Sequence, residues 1–189
     1  MVMDSEKPKN IKPLGGKSYG HIAHLPGSRM GTGDHKCHEG QRRIATEKAR
    51  DKHDFVIVQE KLDGSNVGVA RANGTILALT RAGYLANTSP YEQHWKFGEW
   101  VAVNQPRFLA VLRDGERLCG EWLAQAHGTR YDLHHEPFVV FDLMTGRERA
   151  TLNELTDRLA IARVELVQPR LIHQGQPFSI EAALKAIET

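Results

Sequence analysis

Two cysteines, Cys37 and Cys119, are too few in 189 residues for a disulfide framework. They point to a reducing compartment, and the cytoplasm is the expected location. No apolar run approaches the roughly 20 residues that would span a bilayer, so no membrane partner is expected. The opening MVMDSEKPKN lacks the apolar core of a secretory leader. Repeats, low-complexity tracts and internal linkers are missing as well. Charge of one sign is scarce, with a formal net charge of +2. Residues 1–60 hold eleven Lys/Arg against eight Asp/Glu. That surplus admits a phosphate-rich partner without arguing for one.

What remains is the composition of an ordinary soluble globular chain, with a mean hydropathy of −0.46. The length suits one well-packed domain, expected over residues 1–189. Residues 1–54, rich in Gly, Pro, His and charge, read as a polar lead-in, with a helix from Glu39 to Lys52. Residues 55–189 read as the core. Strands are expected at Phe55–Gln59, Val67–Arg71 and Thr75–Thr80, with Ala72-Asn73-Gly74 as a hairpin loop. Helices follow at Tyr91–Val103 and Arg107–Leu112, then strands at Arg117–Leu123 and Phe138–Leu143. Thr151-Leu152-Asn153-Glu154 is a capping box opening a helix to Ala162. A strand over Leu166–Ile172 and a helix over Ile180–Ile187, capped by Ser179, close the chain. Strict βαβ alternation is absent, so the fold class is α+β on antiparallel sheet rather than a Rossmann-type sheet.

The most informative stretch is Lys61-Leu62-Asp63-Gly64-Ser65-Asn66, directly after the apolar run Phe55–Val58. Two readings compete. An Asp-Gly pair between alternating apolar residues is a hairpin signal, with Lys61 a solvated strand-end charge. Equally, a strand-end amine beside a glycine that admits close approach of a phosphate suits a lysine nucleophile. The six residues fit K-x-D-G, which resembles the signature of the covalent nucleotidyltransferases: DNA and RNA ligases and mRNA capping enzymes.

Further landmarks follow in order. Thr80-Arg81 ends the second strand of the expected hairpin, Gly120-Glu121-Trp122-Leu123 resembles the family's G-E motif, and Phe138–Leu143 resembles the next motif. With Glu60 before the lysine and Asn66 closing the motif, the chain most resembles ATP-dependent RNA ligases of the nick-sealing phage type. Tyr19–Arg29 resembles the lead-in of that group. The resemblance covers roughly residues 18–145. It implies an adenylyltransferase domain of ATP-grasp-like, antiparallel-sheet type, using ATP and magnesium (Mg2+) on RNA ends or nicks. The same motifs leave DNA end joining, GMP transfer for capping, and a non-catalytic nucleotide- or RNA-binding remnant as alternatives.

By that resemblance Lys61 is the nucleophile that takes up AMP. Its pKa must fall toward neutrality through burial and nearby positive charge before it can attack. Arg81 would contact sugar and phosphate, Glu121 the ribose hydroxyls, and Phe141, with Asp142 beside it, the base. Glu60 would lie at the adenine edge. Asp63, Gly64 and Asn66 would meet the phosphates and the incoming strand end. Two family motifs, E-G-[VI] and K-x-K, are not found; Lys185 is a lone lysine in an expected helix. The expectation is therefore a site completed by a downstream or separate segment.

Other residues invite simpler readings. Asp34–Glu39 gathers metal-ligating residue types but has no C-x-x-C partner, and a surface loop without metal is expected. His127, His134 and His135 are read as solvated loop residues, and Trp95, Trp100 and Trp122 as packing residues. Arg42-Arg43 is either a nucleic-acid contact or a solvated pair.

Overall fold

A computed structural model describes residues 11–125 and 130–187. In chain order its elements are α1 (Glu39–Thr46), β1 (Val56–Gln59), β2 (Ser65–Ala72), β3 (Thr75–Thr80), α2 (Glu92–Val103) and α3 (Gln105–Val111). They continue with β4 (Glu116–Trp122), β5 (Phe138–Thr145), β6 (Glu148–Arg149), α4 (Leu152–Ala162), β7 (Leu171–Gly175) and α5 (Ile180–Ile187). A 3-10 turn, Ala86–Thr88, precedes α2. The fold is α+β on antiparallel sheet. It forms two compact units, residues 11–20 with 63–168, and residues 21–62 with 169–187. Neither unit is continuous in sequence, and their boundaries do not fall at the residue 54/55 step expected from composition.

The larger unit is a five-stranded sheet in the order β3-β2-β4-β5-β6. Side chains alternate between its two faces, and the central strands β2 and β4 are buried on both. Val67 and Val69 of β2, Leu118 and Trp122 of β4, and Phe138 and Val140 of β5 bury against Phe97 and Val101 of α2, Phe108 and Val111 of α3, and Leu155 and Leu159 of α4. Aromatic rings dominate the centre, with Phe97 and Trp122 centroids 5.3 Å apart and Phe97 and Phe138 5.5 Å apart. A fully buried Phe stabilises by about 2–3 kcal/mol, so Phe97, Phe108 and Phe138 are its main apolar anchors. The opposite face carries Cys119, Phe141 and Met144 under Tyr19. Ser18 and Tyr19 both donate backbone N–H groups to Arg81 O, and Arg117 Nε donates to Ser18 O at 2.7 Å. A Cβ at Gly68 would lie 2.4 Å from Ser18 Oγ, so glycine there lets the segment bearing Ser18 and Tyr19, a strap across the sheet, lie close on β2. The capping box forms as read: the Thr151 side chain accepts from the Glu154 N–H, and the Glu154 side chain accepts from the Thr151 N–H.

The smaller unit holds α1, the antiparallel pair β1–β7, α5 and the loop between His21 and His38. His24 and Lys36 bridge the two limbs of that loop. His173 stacks on Phe178 with centroids 4.3 Å apart, and the Phe178 N–H donates to Ala45 O at 2.9 Å. Among its described residues only Pro169 is buried.

Three sequence expectations differ from the structure, and one of the two competing readings of Asp63-Gly64 falls. The first helix ends at Thr46 rather than Lys52, because the Glu47 and Lys48 amides both turn back to Arg43 O and Asp51 and Asp54 cap the following turns. The strand expected over Leu166–Ile172 is divided by Pro169, which has no N–H to give to a ladder. Val167 makes a single bridge to Val139 and the regular strand begins at Leu171. Trp95 is 51 % exposed, its indole N–H donating to Ser89 O, whereas Trp100 and Trp122 pack in the core as expected. Finally, β1 and β2 do not form a hairpin: β1 pairs with β7, while β2 pairs with β3 and β4.

Candidate active site

The absence of a β1–β2 hairpin removes the simpler reading of Asp63-Gly64. The boundary between the two units runs between Leu62 and Asp63, inside the K-x-D-G stretch. Glu60 and Lys61 belong to the smaller unit and Asp63 onward to the larger one. Two trans peptide links hold the Lys61 and Asp63 Cα atoms within about 7 Å of each other.

On the smaller unit, the Glu60 N–H continues the ladder to Arg170 O at 3.0 Å, and its carboxylate lies 3.6 Å from Arg170 Nε. Lys61 is exposed, with Nζ donating to Leu62 O at 3.3 Å. The burial expected around its amine is therefore not present.

On the larger unit, the turn is clamped to the sheet. The Gly64 N–H donates to Glu121 Oε1 at 3.0 Å, and the Asp63 N–H donates to the Tyr131 hydroxyl at 2.8 Å. A Cβ at Gly64 would sit 2.4 Å from Trp122 O and 2.8 Å from Leu123 Cδ2. Glycine is required there by the closeness of β4. The antiparallel register pairs Asn66 directly with Glu121, so both side chains leave the same face of the sheet, opposite the helices. Asn66 Oδ1 is buried with no hydrogen-bond partner among the described residues. An orphaned acceptor of this kind costs free energy unless a donor arrives.

Arg81 follows β3 and is exposed, its Nη2 donating to Gly20 O at 2.9 Å. Phe141 is half-buried and meets Tyr19 edge-on at 5.2 Å. Asp142 accepts the Tyr19 hydroxyl at 2.6 Å and lies 3.6 Å from Arg149 Nε. Burial and the hydrogen bond to Asp142 push the Tyr19 phenol well above its ordinary range, so it is a fixed donor at any working pH. Thus Gly64, Asn66 and Glu121 come together, Phe141 and Asp142 gather under Tyr19, and Arg81 anchors the Tyr19 strap.

Sequence reasoning missed Tyr131 and gave Tyr19 no role. Nothing local marks Tyr131; its partner lies 68 residues away. Among the described residues no three His, Cys, Asp or Glu side chains are grouped to hold a metal. His21 and His24 nevertheless lie 3.9 and 3.4 Å from Asp34. Arg42 of the Arg42-Arg43 pair is occupied by Glu39 and Glu47. His127 lies outside the described residues, and His134 and His135 are exposed.

The fold resembles solved RNA ligases. A Naegleria gruberi RNA ligase variant with ATP and Mn superposes with a TM-score of 0.56 at 16% identity, covering 71% of this chain and 41% of that one. A second variant with ATP and Mn gives 0.55 at 16% identity over 90% and 49%. A third, with AMP and Mn, gives 0.54 at 18% identity over 71% and 41%. This chain spans less than half the length of the structures it matches. No curated protein matches it significantly. A family model described as RNA ligase matches residues 54–186, and the chain belongs to the RNA ligase family.

Proposed function

We propose that this chain is the nucleotide-binding and lysine-bearing part of an ATP-dependent RNA ligase. The observation that carries the reading is the clamped Asp63-Gly64 turn beside Glu121 and the unpartnered Asn66 Oδ1, two residues after an exposed lysine. Glu121 carries a carboxylate, an acceptor suited to ribose hydroxyls, and Asn66 offers a buried acceptor that a ligand donor would satisfy. Phe141 supplies a flat face for adenine, and Arg81 a guanidinium for phosphate or sugar.

Lys61, deprotonated, attacks the α-phosphorus of ATP. A P–N bond forms, the P–O bond to pyrophosphate breaks, and the amine proton leaves to solvent. A 5′-phosphate oxygen of RNA then displaces the lysine, and a 3′-hydroxyl displaces AMP to join the ends. Negative charge collects on the α-phosphate and the leaving pyrophosphate, where cations contribute most. The donors present fit magnesium entering with the triphosphate, since such an ion keeps water and phosphate oxygens and asks for one or two carboxylates from the protein. Asp63, exposed at the turn, would offer that carboxylate.

The β1–β7 pair, none of whose residues is buried, suits completion by further strands from a downstream or separate segment, which would bring the lysines of the last family motif. Incubation of the full-length protein with α-labelled ATP and magnesium should yield acid-labile, base-stable label on the protein. Lys61→Ala should abolish the label while the fold survives, because an exposed lysine contributes little to stability. Undiminished labelling of that variant would overturn the assignment.

A further inference from the structure

Two successive backbone donors of the turn are held by side chains, and each acceptor is distinct. Glu121, which holds Gly64, stands on β4. Tyr131, which holds Asp63, stands on the segment between β4 and β5 and accepts the Asp63 N–H through its hydroxyl oxygen. We infer that Tyr131 is a positioning residue for lysine adenylylation: its phenolic oxygen fixes the Asp63 amide and so sets the chain direction from which Lys61 reaches the α-phosphate. The inference rests on the nucleotidyl-transfer reading above and adds a residue to it.

The physical argument is one of placement. An exposed Asp63 N–H released from Tyr131 would still be satisfied by water, so the loss falls little on stability. It falls on geometry, because the turn is then held at Gly64 alone and can pivot about that amide. Displacement of a reacting group by about an ångström costs rate far more than it costs binding. Among the described residues the Tyr131 hydroxyl meets Asp63 at its main-chain amide, not at the carboxylate assigned to magnesium, and forms no hydrogen bond with Asn66, Phe141 or Arg81, the other groups assigned to nucleotide binding. Its removal should therefore leave ATP affinity in place.

Tyr131→Phe removes the acceptor oxygen and keeps the ring. In the full-length protein, the single-turnover rate of label acquisition at saturating ATP should fall roughly three- to ten-fold, with half-saturating ATP unchanged. Hydrogen exchange at the Asp63 amide should rise by a comparable factor. Tyr91→Phe, which removes a hydroxyl from a tyrosine 60% exposed at the start of α2, should change neither quantity. A Tyr131→Phe protein that labels at the wild-type rate overturns the inference, as does a loss that appears only as weakened ATP saturation. A wild-type protein that takes no Lys61-dependent label brings down the nucleotidyl-transfer reading instead. The exchange rate then decides by itself whether Tyr131 holds the turn.

Discussion

The unit built on β2–β6 layers three helices over a sheet and buries rings completely, whereas the unit built on β1 and β7 keeps nearly all its side chains in partial contact with water. The K-x-D-G stretch is shared between them. Its turn, its glycine and the groups assigned to sugar and base stand on the deeply packed unit, where preorganisation is cheapest to maintain. The lysine assigned to the chemistry stands at the end of a strand in the thinly packed one. Segments with few buried contacts open locally at low free energy. The comparison teaches that this protein fixes its proposed binding surface more firmly than its proposed nucleophile.

The largest effect that would sharpen the contrast is on stability. Phe97→Ala should cost about 3–5 kcal/mol, since the ring is wholly enclosed and leaves a cavity. Ile57→Ala on β1, where the side chain is 41% exposed, should cost under about 1 kcal/mol. Urea unfolding measures both, and equal losses would break the distinction between the units.

Gly64→Ala should follow at about 2–3 kcal/mol, because the new methyl meets Trp122 backbone rather than a flexible side chain. The same variant should lose labelling in full-length protein, as the turn must lift away from Glu121. Retention of wild-type stability and labelling would show that the turn is not pressed against β4.

Glu116→Gln should cost about 2 kcal/mol near neutral pH by leaving Arg158 without its carboxylate. Burial works to raise the Glu116 pKa, but hydrogen bonds from Arg158 and the Arg113 amide outweigh it and hold the carboxyl below its ordinary value. A depressed carboxylate contributes stability above its unfolded value, about 4.3, and that stability disappears as pH falls through the native value. The gap between wild type and Glu116→Gln should therefore close on acidification below about pH 4. A gap independent of pH would mean that the ion pair is not its source.

The smallest effect leaves the fold untouched. Burial pushes the Cys119 thiol up to about 12, against the opposing charge of Arg117. At pH 8 about one molecule in 10⁴ would carry the thiolate that alkylation needs. Cys37, in the smaller unit, is half-exposed. Iodoacetamide should modify Cys37 alone in the native protein and both cysteines in urea, read by mass spectrometry. Early modification of Cys119 would show that the sheet face beneath Ser18 and Tyr19 opens.

Much of the architecture was legible in local pattern. The period-two alternation of β2 and β4, the Asn73-Gly74 turn and the Thr151–Glu154 capping box each declare themselves within ten residues, and each appears with bounds close to those expected. The competing reading that failed was also local. Asp63-Gly64 has the composition of a hairpin turn, but β1 found its partner in β7, more than a hundred residues on. A short window holds no information about which of two compatible edges a strand will choose.

The sequence by itself determined the family, because K-x-D-G, Thr80-Arg81, Gly120-Glu121 and Phe141-Asp142 stand in order along one chain. It determined the strands that carry them, because side-chain alternation follows from backbone geometry alone. Only the tertiary structure decided that Glu121 reaches the Gly64 amide and Tyr131 the Asp63 amide, that Asn66 Oδ1 is left without a partner among the described residues, and that the K-x-D-G stretch is divided between two units. Those are facts of register and long-range pairing, settled by the whole buried surface at once and not by any stretch of residues within it.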